Sequence, residues 1–491
     1  MLTKIRELIE NLNKSGIRYC HWKSNLSLSE TLSGKTDIDL LIDRNNADLF
    51  RMLVNQLCFR PAVDKGVASF PSVEHYFALD EESGNLVHVH AYYRVITGES
   101  LVKNYRLPVE AMLLDNTREM ELIRLPSKSA ELVIFTLRMM LKHTSLIELL
   151  LLARDWKHVR REILWLLEDS PLDESIQLVD HWLPSVDTGH FAECVHAMES
   201  SASLFYRIVL GLRLRSSLRI YARHSLLWAW LSGIGKFLTM GIRRVVRSQR
   251  GMSLQSGGAV IAIVGPEATG KSTLLAEMKG WLGEHFAVNQ IHAGKPRSTL
   301  LTVVPNLLVP VLRFVLPKYR ASRIEVQYTS DGQEKKSEKV YPLISAIRSV
   351  LLAYDRRMLL TRAFAQAVNG RIVLCDRYPS LSPGSPDGPQ LSQFPIPKDR
   401  YPIRYQLSRI EKQIYEEIPP PDLVILLTVP VEVAILRNRN RGKVEPEDFV
   451  RLRHAQSSNL EFGRTQVYKI NTDQPLDKTI LDVKKAIWNV L

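Results

Sequence analysis

Apolar residues are spaced differently in three successive stretches of the chain. Residues 1–125 mix helical and alternating patterns. Leu2, Ile5, Leu8, Ile9 and Leu12 recur at helical spacing, and Ser15-Gly16 closes that segment. Residues 17–22 then read as a strand. So do residues 36–42, where alternation sets Asp37 and Asp39 on one face and Ile38 and Leu40 on the other. A later strand is expected at Leu86-Val87-His88-Val89-His90-Ala91-Tyr92. Between 126 and 250 the spacing is helical, with Leu132, Phe135 and Met139 in one segment and Trp156, Val159, Ile163 and Leu166 in another. Pro171 and Pro184 punctuate this region. From 251 onward, continuous apolar runs at 259–264, 371–375 and 423–427 alternate with helical patterns, as buried strands of a parallel sheet do. Further strands are expected at 287–291 and 467–470, and a closing amphipathic helix at 476–491. The fold class read from this is multidomain α/β. It comprises an α+β domain at 1–125, a helical region at 126–250, and a parallel-sheet domain at 251–491 entered through the small-residue linker 251–258. Residues 320–340 carry no periodicity and read as an exposed insertion.

Composition is that of an ordinary globular protein, with 45% hydrophobic and 24% charged residues in 491. Cys20, Cys58, Cys194 and Cys375 have no paired spacing, which argues against a disulfide framework or a cysteine zinc site and fits a reducing compartment. Residues 1–16 alternate charged and apolar positions unlike a signal peptide, and no apolar run reaches the roughly 20 residues needed to span a bilayer. The expectation is a cytoplasmic protein. Charge changes the picture locally. The net charge is +13, and no acidic residue occurs between Glu199 and Glu267, where arginines from Arg207 to Arg250 and Lys236 are concentrated. Within 204–250 these cations mix with Leu226-Leu227-Trp228-Ala229-Trp230-Leu231, Phe237, Leu238 and Ile242. The segment reads first as a basic helical linker whose apolar face packs on the protein's own domains. An interfacial helix on an anionic membrane, peripheral to its inner face, is the alternative. Nucleic acid ranks behind both.

The most specific chemistry lies at Gly265-Pro266-Glu267-Ala268-Thr269-Gly270-Lys271-Ser272, which matches G-x-x-x-x-G-K-[ST] between an apolar strand and a helical pattern. Gly265 and Gly270 let backbone N–H groups curl around phosphates, and the helix N-terminus adds partial positive charge. Lys271 can reach the β/γ-phosphates of ATP, the Ser272 hydroxyl can ligate Mg²⁺, and Thr273 opens the helix beside them. Asp376-Arg377-Tyr378 follows the strand at 371–375, at the end of the sheet where ligands of open α/β folds bind. There Asp376 can hold Mg²⁺ or its waters, and Arg377 can clamp an acceptor phosphate.

This order of motifs resembles thymidylate kinase and its nucleoside-monophosphate-kinase relatives over about residues 258–491. The resemblance implies that Glu267 faces the acceptor's sugar, that Asp355-Arg356 is the helix Asp-Arg whose Arg contacts the acceptor, and that Tyr378 completes the Asp-Arg-Tyr element. It also implies that Arg437 and Arg441 belong to a lid closing over the transferring phosphoryl group. Residues 379–389 are Pro/Gly-rich where that family has the run that helps select thymidylate, so the pocket wall differs. The expected acceptor is a small nucleotide-like or sugar-like molecule.

In residues 15–125, two carboxylates side by side on one strand face repel each other unless a cation neutralises them, so Asp37 and Asp39 are candidate Mg²⁺ ligands. Ser24 followed by the Asp37/Asp39 pair resembles the nucleotidyltransferase superfamily, which implies catalytic roles for both acids. Lys23 stands where that family has Gly, and His88 and His90 stand where it has a third acid. Histidine suits Mg²⁺ poorly. The leading expectation is therefore an ATP-dependent kinase fused to a nucleotidyltransferase-like domain, with a homodimer left open. The alternative is an ATP-switched regulatory or membrane-docked assembly protein.

Overall fold

The computed structural model describes residues 1–64, 70, 72–99, 102–143, 156–168, 172–200, 202–245, 251–299, 302–305, 307–308, 343–382, 385, 387–393, 396–440, 446–457 and 460–491. The expected insertion at 320–340 and the candidate lid residue Arg441 lie outside them. The chain divides into two compact units, Met1–Ser248 and Gln249–Leu491.

The first unit begins with α1 (Thr3–Lys14), whose Ile5, Leu8, Ile9 and Leu12 are buried as their spacing requires. There follow β1 (Tyr19–His21), α2 (Leu28–Leu32), β2 (Ile38–Ile42), α3 (Ala47–Gln56), β3 (Arg60–Val63), β4 (Val73–Leu79) and β5 (Leu86–Tyr92). These five strands run in the order β1-β2-β5-β4-β3. The pairing is antiparallel except between β2 and β5, which are parallel with Asp39 beside His90. On the other side of β5, His75 of β4 lies opposite His90, and Phe77 opposite His88. α1 and α3 cover one face of this sheet and share its core.

The short strands β6 (Val95–Thr97), β7 (Tyr105–Leu107), β8 (Thr117–Met120) and β9 (Ile123–Pro126) follow, with helices α4 (Glu110–Asp115), α5 (Lys128–His143), α6 (Trp156–Leu167), α7 (Leu172–Trp182), α8 (Thr188–Glu199) and α9 (Leu204–Ser217). Leu132, Phe135, Ile163, Val179 and Leu210 from this region are buried in one cluster with Cys20, Trp22, Leu41 and Tyr92 of the sheet. The boundary expected at 125/126 therefore does not separate compact units. Among the described residues, the helices share one core with the sheet.

The basic segment forms α9 and α10 (Leu226–Val245). Leu210, Leu214 and Leu218 turn inward. Phe205, Leu212, Leu227, Trp228, Trp230, Leu231, Phe237 and Leu238 stand exposed. No described helix is long and apolar enough to cross a membrane.

The second unit is a parallel sheet flanked by helices. β10 (Val260–Val264), α11 (Lys271–Gly283), β11 (Val288–His292), α12 (Leu343–Val368), β12 (Ile372–Asp376), α13 (Pro402–Glu416), β13 (Leu423–Thr428), α14 (Val431–Arg439), α15 (Glu447–Ser457), β14 (Gln466–Asn471) and α16 (Leu476–Val490) occur in that order. The strands are arranged β11-β12-β10-β13-β14, every pair parallel. Because β10 is central, Val260–Val264 is buried throughout, which explains its unbroken apolar run. At Gly258, just before it, an added Cβ would meet the Arg371 carbonyl oxygen at 1.8 Å, so only glycine fits this approach.

Candidate functional site

The site is built where β10 and β12 end side by side. Ile263 pairs with Asp376, and the Arg377 N–H donates to the Ile263 carbonyl at 3.2 Å. This places Asp376-Arg377 next to the loop leaving β10. That loop begins at Gly265, whose φ of +154° and whose missing Cβ, which would meet the Leu427 carbonyl at 2.7 Å, both exclude a side chain. It ends at Gly270, a left-handed residue with φ of +86° that caps α11. Lys271, Ser272 and Thr273 form the first turn of α11, where backbone N–H groups have no intrahelical acceptor. The Lys271 ammonium donates to the Gly265 and Pro266 carbonyls at 2.9 and 2.6 Å, so the loop already wraps around a charged atom. The glycines, helix N-terminus and lysine fit a nucleoside triphosphate. Ser272 and Asp376 supply the hard oxygen donors that Mg²⁺ takes.

Charge alternates across the cleft. Glu267 accepts from Arg377 at 3.3 Å. Burial alone would raise its pKa, but the charges of Lys271 and Arg377 hold it below the ordinary range. Arg377 itself has a left-handed backbone, φ +68°, uncommon for a non-glycine residue and typical of functional loops. Its other terminal nitrogen faces the Asp387 carboxylate at 3.5 Å. A small pocket is lined by Gly265, Glu267, Arg377, Asp387 and Arg453. His454, on α15, lies 3.1 Å from the Glu267 carbonyl and ties that helix to the loop. A second hollow opens at the end of β11, lined by His292, Lys295, Arg297, Thr299, Asp355 and Arg362.

Three expected acceptor contacts are engaged otherwise. Arg356 is buried, and all five of its N–H groups have protein acceptors. These are the Ala293 carbonyl (2.9 Å), the Asp387 carbonyl (2.9 Å), the Tyr415 hydroxyl (2.6 Å), the Gly294 carbonyl (3.2 Å) and the Asp387 carboxylate (3.3 Å). It positions the wall of the site rather than presenting a free guanidinium. Asp355, also buried, accepts from the Thr302 hydroxyl at 2.5 Å and the Thr299 N–H at 3.0 Å. The Tyr378 hydroxyl is committed to the Pro419 carbonyl at 2.5 Å. Arg437 donates to the Thr472 hydroxyl and carbonyl at 3.2 and 2.8 Å, fixing α14 to the end of β14. Asp387 was not singled out from the sequence. Its signal was an acidic residue within the Pro/Gly-rich loop, and only the fold places it between two arginines.

In the first unit, Asp37 and Asp39 do not stand as unneutralised neighbours. Asp39 lies 2.8 Å from the Lys23 ammonium and 3.1 Å from His90 Nδ1, and Asp37 lies 2.9 Å from His88 Nδ1. Burial pushes both carboxyls up, yet the Lys23 charge beside Asp39 and the His88 hydrogen bond to Asp37 keep them low. The mutual repulsion that called for Mg²⁺ is met by the Lys23 ammonium and by hydrogen bonds to His88 and His90, which the sequence spacing did not reveal. His75, from β4, joins this face. Burial and the charges of His90 and His88 bring its pKa down to about 3.

No family model matches the chain. Two proteins of Escherichia coli K12, described as uncharacterized ATP-binding proteins YghR and YghS, are each 24% identical to it. The matches span 232 residues (46% of this chain, 86% of YghR) and 250 residues (50% of this chain, 99% of YghS). A probable thymidylate kinase of Archaeoglobus fulgidus is 34% identical over 110 residues, 20% of this chain and 56% of that protein. A solved structure of thymidylate kinase from Candida albicans aligns over 48% of this chain and 91% of its own at 16% identity. Its TM-score is 0.27. Over about half its length the chain is thus distantly homologous to ATP-binding proteins, and over about a fifth of it to a probable thymidylate kinase.

Proposed function

We propose that the second unit is an ATP-dependent kinase that phosphorylates a small nucleotide-like or sugar-like acceptor. The observation that carries this is the Gly265–Ser272 loop between β10 and α11, with Asp376 and Arg377 at the end of the adjoining strand. ATP supplies the transferable phosphoryl group. The chain's task is positioning and charge neutralisation. The loop amides and Lys271 bind the phosphates, and Ser272 and Asp376 offer oxygen to Mg²⁺. Arg377 faces the cleft, oriented by Glu267 and Asp387. Since Arg356 is fully engaged, the described cations open to an anionic acceptor group include Arg377 and Arg453 of the first pocket and Lys295, Arg297 and Arg362 of the second hollow. The test is ATP consumption by wild type and Lys271→Ala with dTMP, other nucleoside monophosphates, nucleosides and sugar phosphates offered in turn. One acceptor that stimulates wild type and not the variant is the expected result. ATP binding with no stimulation by any acceptor would refute the kinase reading in favour of an ATP switch.

A second reading concerns location. The exposed Trp228, Trp230, Leu231, Phe237 and Leu238, with exposed Arg213, Arg219 and Arg223 nearby in the chain, support docking of 204–245 on an anionic membrane surface. Flotation with anionic liposomes tests it. Binding lost in Trp228→Glu/Trp230→Glu supports docking, and equal flotation of wild type and variant counts against it.

A further inference from the structure

We propose that the first unit holds a divalent transition-metal ion of the Zn²⁺ type on His75, His88 and His90, a site independent of the kinase reading. These histidines come from two strands. Antiparallel pairing puts His75 directly across from His90, and His88 precedes His90 by two residues on the same face. One ligand atom from each lies within 4.8 Å of the others. His75 Nδ1 and His88 Nε2 are 3.3 Å apart, the spacing of about 3.3 Å that two imidazoles have on one tetrahedral ion at about 2.05 Å.

The two acids have a role in this arrangement that differs from direct Mg²⁺ ligation. His88 Nδ1 lies 2.9 Å from Asp37, and His90 Nδ1 lies 3.1 Å from Asp39. A carboxylate accepting from one ring nitrogen fixes the tautomer and presents the other nitrogen, Nε2, as the electron-pair donor. Carboxylate–histidine pairs at metal sites do this. His90 Nε2 is buried with no hydrogen-bond partner among the described residues, a polar atom that a metal ion would satisfy. Asp37 Oδ2 lies 3.6 Å from it and is the candidate fourth donor. Asp37 is 43% exposed, which leaves an entry path.

Three imidazoles with at most one carboxylate select Zn²⁺ and its first-row neighbours over Mg²⁺, which takes oxygen. The Lys23 and Lys103 ammoniums both lie against the Tyr92 ring, at 4.7 and 5.7 Å from its centre, and that ring adjoins His90.

The experiment uses the full-length chain without a histidine tag, stripped with a chelator and titrated with Zn²⁺, Co²⁺ and Mg²⁺. Expected are one Zn²⁺ retained per chain, strong visible absorption from Co²⁺ at low coordination number, and no competition by millimolar Mg²⁺. His75→Ala/His90→Ala should lose the ion, and Asp37→Ala/Asp39→Asn should weaken it about 10–100-fold. Lys271→Ala should bind as wild type. To separate metal loss from misfolding, bound Zn²⁺ should also protect wild-type His75 and His90 from diethyl pyrocarbonate. Equal Zn²⁺ binding by wild type and the histidine double variant would overturn the proposal. So would absence of protection in wild type.

Discussion

Asp387 sits between two guanidinium groups, and removing its charge should make the cleft a better anion site. In Asp387→Asn the fold keeps a hydrogen-bonding side chain of the same shape, while Arg377 loses one of its carboxylate neighbours. The Arg377–Asp387 separation is 3.5 Å, with side-chain exposures of 31% and 16%. Two unit charges at that distance attract by about 1 kcal/mol in water-like surroundings and about 5 kcal/mol at an effective dielectric constant of 20. Partial exposure puts the pair toward the screened limit, at about 1–2 kcal/mol. Freed of that competitor, Arg377 should bind an incoming anion about 5–30-fold more tightly. The assay is calorimetric titration of the full chain with inorganic phosphate and with dTMP, for wild type, Asp387→Asn and Asp387→Asn/Arg377→Gln. The single variant should gain affinity and the double variant should lose the gain. If Asp387→Asn, with unfolding like wild type, binds phosphate no better than wild type, the reasoning about Asp387 as a competing anion is refuted.

Two further outcomes follow from buried charge. Burial pushes the Glu162 carboxyl from 4.5 up to about 7, with the Arg138 charge only partly opposing it. As pH rises above 4.5 the unfolded chain ionises while the folded one does not, so the contribution to stability is present below that pH and is lost toward pH 7 and above. Linkage puts this at about 3–4 kcal/mol at most. Urea unfolding at pH 5, 6.5 and 8 should therefore show a falling trend that Glu162→Gln flattens, and parallel trends in both proteins would contradict it. Arg356→Lys replaces five fixed donors with three and leaves Asp387 and Tyr415 incompletely bonded, at a cost of about 3 kcal/mol. The thermal transition should drop accordingly, and an unchanged transition would show that these hydrogen bonds contribute nothing.

Local, contiguous features were legible in the chain itself. The unbroken run at 260–264, the glycines at 265 and 270, and Lys271-Ser272 lie within thirteen residues, so their relative placement is set by backbone geometry alone. The same holds for α1 and for Asp39 on β2, with Asp37 just before that strand, since helical and strand periodicities are properties of the sequence. What the sequence could not express is which distant groups arrive beside those residues. Asp387 reaches Arg356 and Arg377 through a folded loop, His75 meets His90 through an antiparallel register, and Lys23 meets Asp39 through strand pairing. The arginine at 356 has the residue type of an acceptor clamp, but tertiary contacts consume its donors. Helices α5–α9 have an ordinary amphipathic pattern that gives no sign of needing the sheet to complete their core. Periodicity specifies that a face will be buried. The partner that buries it, and so the charge and hydrogen-bonding state of each functional side chain, is decided by contacts between residues far apart in the chain.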